Sequence, residues 1–160
     1  MTGFSVLHDT FTIERSYLAI PARVFAAFAT TDAEDSWATT GGHEAAEATG
    51  VPVEFEFRIG GRERFGFTRS GTIYRYDARY YDIVPDQRII YSYEMYAGDT
   101  RISVSVTTIQ FATNGDGTAL SWTEQGAFPD GHDEAPGLRL AGTTALIDHL
   151  PDYLNLGASS

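Results

Sequence analysis

The fold of this chain is decided by a stretch in its second half, TALSWTEQ, which occupies residues 118–125. Leu120, Trp122 and Glu124 fall on one parity of this stretch, and small or polar residues fall on the other. Side chains alternate between the two faces of a β-strand, so the pattern predicts a strand with one apolar face. It also places the carboxylate of Glu124 on that apolar face.

The same period of two continues upstream. It predicts further strands at residues 53–59, 65–68, 72–83, 89–96 and 101–111. Pro85-Asp86, Gly98-Asp99 and the run NGDG at residues 114–117 favour tight turns between these strands. We therefore expect an antiparallel meander of about six strands, with one face apolar and the other polar.

The first strand of the meander shows the alternation most regularly. Residues 53–59 read VEFEFRI, so Val53, Phe55, Phe57 and Ile59 are predicted to share the inner face. Gly60 and Gly61 follow and are expected to turn the chain.

Helical spacing flanks the meander on both sides. A short strand around Phe11 and Ile13 precedes a helix predicted at residues 19–28, and a capping pattern from Thr31 predicts a second short helix that buries Trp37. Apolar residues recur at helical spacing over residues 135–156, which predicts one long amphipathic helix with a kink near its end. We expect an α+β fold in which the sheet curves around this last helix.

Composition excludes several classes of function. The chain has 160 residues and a net charge of −11, which argues against nucleic acid and an anionic membrane surface as partners. It contains no cysteine, so a disulfide scaffold, a thiolate metal site and a cysteine nucleophile are excluded. No apolar run approaches the length of a membrane span, so we expect no membrane insertion and a cytoplasmic location. We also expect a single domain over residues 1–160.

Several runs of the chain carry a family likeness. They are ERSYLAIPARVFAAF at residues 14–28, Trp37, FEFRIGGR at 55–62, DIVPDQRIIY at 82–91 and TALSWTEQG at 118–126. Over about residues 11–154 the chain resembles the START-like (SRPBCC) superfamily, and within it the branch named after the activator of the heat-shock protein 90 ATPase. The resemblance implies the helix-grip (START/Bet v 1-like) fold.

The resemblance also implies a range of functions. Members of the superfamily use a hydrophobic cavity between the final helix and the sheet to hold lipids, sterols, polyketides and other apolar molecules. Some members catalyse cyclisation or hydrolysis there. The name of the branch comes from a eukaryotic co-chaperone.

The alternation along the predicted strands indicates which residues would line such a cavity. From the sheet they are Phe55, Phe57, Tyr91, Tyr93, Met95, Leu120 and Trp122, with Trp37 from the second short helix, opposite Leu138, Leu146, Ile147 and Leu150 on the final helix. Tyrosine and tryptophan provide broad apolar walls together with polar groups that need partners, which favours a binding cavity. The alternative is that these residues form only a packed core.

Glu124 is the one candidate catalytic residue. Desolvation raises the pKa of a buried carboxyl group unless an arginine pairs with it. On the inner face, Glu124 would act as a general acid or base, or would orient a polar group of a ligand. The alternative is that a bulge or the strand end delivers it to solvent.

Six of the eleven basic residues lie within residues 58–79. They are Arg58, Arg62, Arg64, Arg69, Arg75 and Arg79, opposed in this stretch only by Glu63 and Asp77. This patch is expected either to meet an anionic ligand or acidic partner, or to be a solvated face paired to nearby acids.

The leading prediction is non-catalytic binding of a hydrophobic or amphipathic small molecule, such as a lipid, a polyketide or an aromatic compound. The alternatives are a small cyclase or hydrolase that uses the same cavity, and a co-chaperone or protein-interaction module that acts through the outer surface. A homodimer through an exposed edge strand is a further expectation. We expect no cofactor. We also expect no metal, because His43 and Glu47 lack the additional ligands that a zinc site needs.

Overall fold

The computed structural model describes residues 4–29, 48–130 and 135–154. The strands are β1 Val6–Tyr17, β2 Glu54–Phe55, β3 Arg62–Arg69, β4 Thr72–Val84, β5 Arg88–Ala97, β6 Thr100–Asn114 and β7 Gly117–Pro129. The helices are α1 Pro21–Ala29, α2 Ala135–Asp148 and α3 Leu150–Tyr153. All seven strands form one antiparallel sheet in the order β1-β7-β6-β5-β4-β3-β2, which confirms the predicted α+β helix-grip architecture.

The amino-terminal strand pairs with the last strand of the meander. β1 lies against β7 from Val6 opposite Pro129 to Tyr17 opposite Thr118, so β7 has a neighbour on each side. The two strands meet closely at Gly117, where a Cβ atom would lie 2.0 Å from the carbonyl oxygen of Tyr17. Only glycine fits this position, because any side chain would collide with the backbone of β1.

The predicted turns are present. Asp86, Gly98 and Gly115 each have a positive φ, between 59° and 65°, in the tight connections β4–β5, β5–β6 and β6–β7. Glycine, asparagine and aspartate tolerate this left-handed conformation better than other residues, which is why these pairs marked the turns. The register shifts between Tyr80 and Asp82 in the β4–β5 pair, and bulges of this kind increase the curvature of a sheet.

The prediction for residues 53–59 was wrong in length and in part of its face. Only Glu54–Phe55 is a strand. Ile59 is 60% exposed and Val53 is 36% exposed, so neither side chain is buried on the inner face. The amide of Arg58 donates to the carbonyl of Glu56 at 2.9 Å, so the chain leaves the extended conformation before Ile59. The sequence pattern does not reveal this turn, because polar and apolar residues continue to alternate through it.

The final helix is interrupted where the sequence predicted a kink. α2 ends at Asp148 and α3 starts at Leu150, with Pro151 in its first turn. Proline has no amide hydrogen to continue the helical hydrogen bonding, so a break precedes it. The predicted second short helix and the end of the long helix at residue 156 lie outside the described residues. None of the described helices is long and apolar enough to cross a membrane.

The core lies between the inner face of the sheet, α1 and the end of the last helix. Ile147, Leu150 and Leu154 are at most 2% exposed, and Val24 of α1 is fully buried. In contrast, Leu140 in the first half of α2 is 41% exposed. The final helix is therefore anchored by apolar packing at its carboxy-terminal end.

This asymmetry predicts unequal effects of two leucine substitutions in the last helical segment. We expect Leu150→Ala to lower the free energy of unfolding by about 2–5 kcal/mol, because it removes a fully buried side chain and leaves a cavity. Leu140→Ala is the matched control and should cost less than about 0.5 kcal/mol. Urea denaturation followed by circular dichroism measures both, and equal losses would contradict the proposed anchoring.

Candidate functional site

The alternation along β7 holds in the structure. Leu120 and Glu124 are each 2% exposed and Trp122 is 5% exposed, so all three face the interior. The alternative, in which a bulge or the strand end delivers Glu124 to solvent, is therefore wrong. Both neighbours of β7 pair with it continuously through this region, which leaves no room for a slip in register.

The structure brings most of the predicted lining residues to one face. Tyr91, Tyr93, Ile147 and Leu150 are buried, and Phe55, Phe57, Met95 and Leu146 are partly buried and packed against the same core. Trp37, His43, Glu47 and the side chain of Leu138 lie outside the described part of the chain.

Polarity changes along the inner face of the sheet. At one level, Ile89, Ile109, Trp122 and Ile13 are neighbours across β5, β6, β7 and β1. At the next level the neighbours across β5, β6 and β7 are Tyr91, Thr107 and Glu124, and beyond them Tyr93, Ser105 and Gly126. The inner face therefore has an apolar end and a polar end.

Glu124 is held by contacts from three directions. The hydroxyl of Tyr93 donates to its Oε2 at 2.5 Å, and the hydroxyl of Thr107 donates to its Oε1 at 3.3 Å. Nη1 of Arg139 lies 3.6 Å from Oε2. Buried carboxylates are costly unless they are paired and hydrogen-bonded, and these contacts meet that requirement.

Arg139 of α2 joins the final helix to the sheet. Its Nη1 donates to the Tyr93 hydroxyl at 2.7 Å, and its Nη2 donates to Oγ of Ser103 at 2.8 Å. A longer contact of 3.4 Å joins Nη1 to Oγ of Ser105. We call Arg139, Glu124, Tyr93, Thr107, Ser103 and Ser105 the polar cluster.

Small residues make room for the polar cluster. Ser103 and Ser105 are at most 1% exposed and stand where β6 would otherwise present larger apolar side chains. A Cβ atom at Gly126 would lie 2.9 Å from the ring of Phe128 and 3.1 Å from Oγ of Ser105. The guanidinium of Arg139 lies over the rings of Phe128 and Tyr93, with its Cζ 5.4 and 5.3 Å from their centroids.

Sequence reasoning found Glu124 but missed Arg139. The signal was present in two places, as one arginine in the apolar stretch of the last helix and as two serines on the inner parity of β6. Neither signal identifies a pair, because the distance between residues 124 and 139 depends on how the helix crosses the sheet.

A second buried carboxylate lies on the inner face at β3. Glu63 is 7% exposed and accepts a hydrogen bond from the Tyr80 hydroxyl at 3.1 Å. The sequence analysis placed Glu63 against the arginine patch, but β3 turns it to the opposite face. Arginine residues of the patch find other neighbours: Arg64 lies 3.7 Å from Glu54, and Arg75 lies over the ring of Tyr96 at 3.9 Å.

The tyrosines of the inner face resist ionisation. Burial raises the pKa of Tyr91 and of Tyr93 well above the usual value, and the negative charge of Glu124 raises both further. Burial acts in the same way on Tyr76, whose ring lies 4.9 Å from that of Tyr93. At the edge of the core, burial raises the pKa of Tyr17 to about 12. These hydroxyls are neutral hydrogen-bonding groups at physiological pH.

A surface groove of about 380 Å³ lies on the other side of the sheet. Its lining includes Glu14, Gln110 and Ser121, which have the outer parity of β1, β6 and β7. The groove is therefore separate from the polar cluster and does not belong to the predicted cavity.

Comparison with known proteins gives a family match and several similar structures. Residues 19–155 match the model of the family described as Activator of Hsp90 ATPase homolog 1-like protein. The structure is similar to an uncharacterized protein from Rhizobium leguminosarum, with 42% identity, a TM-score of 0.87 and coverage of 96% of this chain and 99% of that chain. No curated protein matches the chain in sequence.

Two other solved structures extend the likeness. The Mll3558 protein from Rhizobium loti is 46% identical, with a TM-score of 0.81 and coverage of 91% of this chain and 96% of that chain. Protein CV1439 from Chromobacterium violaceum is 26% identical, with a TM-score of 0.71 and the same coverages of 91% and 96%. These similarities extend over nearly the whole length of each protein.

The polar cluster predicts a stability effect of one hydroxyl group. We expect Tyr93→Phe to lower the free energy of unfolding by about 1–3 kcal/mol, because it removes one buried hydrogen bond from Glu124 and another from Arg139. Tyr96→Phe is the matched control: its hydroxyl donates to Glu94 at 3.2 Å in a contact that is only part-buried, and its loss should cost about 0.5 kcal/mol or less. Urea denaturation at neutral pH compares the two variants, and equal effects would contradict the arrangement of the cluster.

The buried tyrosines also predict loss of stability in alkali. Above pH 10 the unfolded chain releases phenolic protons that the folded chain retains, because the pKa of Tyr91 is higher in the folded state. The unfolded state then binds fewer protons, so the free energy of unfolding falls as the pH rises. Tyr91→Phe should reduce this slope by up to about 1.4 kcal/mol per pH unit. Urea denaturation between pH 8 and pH 11 measures it, and an unchanged slope would contradict the assignment.

Proposed function

The chain belongs to the Activator of Hsp90 ATPase homolog 1-like family, and we propose that it binds an amphipathic small molecule between the inner face of its sheet and its final helix. The observation that carries this proposal is the polar cluster at one end of a largely apolar and aromatic face. A packed core needs no such cluster, because buried ion pairs add little to stability compared with apolar packing. A binding site does need it, because a few placed polar groups orient an otherwise apolar guest.

The polar cluster can recognise both donors and acceptors. The guanidinium of Arg139 presents several N–H groups in a planar fork, and its side chain is 12% exposed. Glu124 accepts hydrogen bonds beside it. A hydroxyl, carbonyl or carboxyl group on the guest can exchange contacts with this pair without leaving either charge unpaired.

The apolar end accommodates the rest of the molecule. Trp122, Ile109 and Ile13 lie at the level next to Glu124, and each is at most 5% exposed. Phe28 of α1 packs on Trp122 with a centroid distance of 6.1 Å. Apolar contact with such walls contributes roughly 25 cal/mol per Å² of buried surface, which supplies affinity without specificity.

Acid–base catalysis by Glu124 is the second candidate. The buried carboxylate and its 2.5 Å contact with the Tyr93 hydroxyl favour it, since a general acid or base must lie within hydrogen-bonding reach of the group it serves. Both carboxylate oxygens already accept hydrogen bonds, however, and Arg139 lies against one of them. This arrangement is better suited to a fixed binding group than to a group that gives up and regains a proton.

A chaperone partner has weaker support. It would need the arginine patch as a free basic surface, whereas Arg58, Arg62 and Arg64 lie within 3.9 Å of Glu56, Glu54 or Asp77. The proposal therefore rests on the inner face and not on the patch.

Binding of an anionic amphipathic probe tests the proposed function. We expect 1-anilinonaphthalene-8-sulfonate to bind the native protein and to increase in fluorescence. The double variant Glu124→Gln/Arg139→Met should weaken binding about tenfold or more, because it removes the cation without leaving an unpaired buried charge. Arg58→Met, which removes an exposed arginine outside the site, is the matched control and should bind as the native protein does.

Native mass spectrometry of protein purified from its own host provides a second measurement. We expect a co-purifying small molecule in the native protein and less of it in the double variant. Absence of a bound molecule, together with probe affinity that is equal in all three proteins, would overturn the proposal. Circular dichroism and urea denaturation establish that the double variant is folded.

A further inference from the structure

Among the residues that the structure describes, Trp122 and Tyr17 each bury a hydrogen-bonding group on the inner face without a partner. Nε1 of Trp122 and the hydroxyl of Tyr17 make no hydrogen bond to the residues that the structure describes, although each side chain belongs to a residue that is only 5% exposed. Buried indole N–H groups almost always find an acceptor, because desolvation is otherwise uncompensated. An unpartnered one at a candidate binding site therefore needs an explanation.

The apolar neighbours of Trp122 in the described part of the chain cannot supply an acceptor through their side chains. Ile13 and Ile109 stand directly opposite it on β1 and β6, and Leu120 precedes it on the inner parity of β7. The ring of Phe28 covers it from α1. The backbone groups of Trp122 itself lie between two paired strands and are used in the ladder.

Trp122 stands next to the polar cluster. Glu124 is the following residue on the same face of β7, and same-face neighbours on a strand are about 7 Å apart. A guest whose polar end contacts Glu124 and Arg139 would extend along β7 past the indole. The distance along the guest between the group that contacts Glu124 and the group that meets the indole N–H is then set by the residue spacing of the strand.

We propose that Trp122 is a ligand-binding residue whose indole N–H donates to an oxygen in the apolar part of the bound molecule. This inference rests on the proposed function and names its ligand class: an amphipathic molecule with a polar end group and a carbonyl or ether oxygen about 7 Å from it. The oxygen is neutral, because the described side chains that contact Trp122 or stand opposite it, Ile13, Ile109 and Phe28, carry no positive charge that would stabilise an anion.

Tyr17 is a second residue of the inner face whose polar group has no partner among the described residues. Its hydroxyl lies near the other end of β1, opposite Thr118, whose own hydroxyl already donates to the carbonyl of Ala19 at 2.7 Å. Two adjacent strands thus each present one unused polar group to the interior. We assign the ligand oxygen to Trp122 and not to Tyr17, because of these two residues only Trp122 is next to the polar cluster.

A pair of matched probes tests the inference. 4-Acetylbenzoate carries a carboxylate as its polar end group and a ketone oxygen on the opposite side of the ring, and 4-isopropenylbenzoate has nearly the same shape with a methylene group in place of the ketone oxygen. We expect the ketone to bind the native protein about tenfold more tightly than the alkene, since one hydrogen bond to a buried donor contributes an effect of this order. In Trp122→Phe, which retains an aromatic ring against Phe28, the preference should fall below about twofold.

Nuclear magnetic resonance supplies a readout that needs no variant. The chain has two tryptophans, so the indole N–H region shows two signals, and Trp122→Phe identifies one of them. The ketone should move the Trp122 signal downfield, and the alkene should not. Tyr96→Phe, on the outer face of β5, is the control and should retain the full preference for the ketone.

The possible results separate the two proposals. If both probes bind equally and the indole signal does not respond to the ketone, the inference is overturned while the proposed function stands. If the ketone preference persists in Trp122→Phe, the acceptor lies elsewhere and the inference is also overturned. If neither probe nor the anilinonaphthalene sulfonate binds the native protein, the proposed function itself fails.

Discussion

The pairing of β7 with β1 on one side and β6 on the other is the constraint on which the rest of the structure depends. A strand with two neighbours cannot slip by one residue without turning every side chain to the other face. The alternation of residues 118–125 therefore determines which groups meet the final helix. Leu120 and Trp122 then form part of the core, and Glu124 is forced to share their environment.

A carboxylate in that position demands compensation, and the polar cluster provides it. Arg139 contributes the opposite charge from the helix, while Tyr93 and Thr107 contribute hydroxyl donors from the neighbouring strands. The two serines of β6 and Gly126 contribute space. Replacing a buried ion pair by apolar residues of similar shape is often neutral or stabilising, which is why we propose that the cluster serves recognition of a guest.

The distribution of packing along the last helix is consistent with this role. Its carboxy-terminal end is fixed by fully buried leucine and isoleucine side chains, whereas Arg139 provides its polar attachment near the other end. An attachment made of hydrogen bonds can exchange partners with a polar guest, which apolar packing cannot do. The inner face thus combines an apolar, fully buried end with a polar end, which is the arrangement that the proposed ligand binding requires.

Local chemistry was enough to predict most of the strands and the turns and to place Glu124 on the inner parity of β7, since side-chain parity and left-handed turn residues are properties of neighbouring positions in the chain. The choice between the interior and solvent for Glu124 needed the pairing of β7 on both sides. The early turn after Phe55 could not be predicted, because the alternation of polar and apolar residues continues even where the backbone stops being extended. The pairing of Glu124 with Arg139, the inward position of Glu63 and the unpartnered N–H of Trp122 were decided only by the tertiary structure. Each depends on which elements cross in space and at what distance, and the order of residues along one strand does not contain that information.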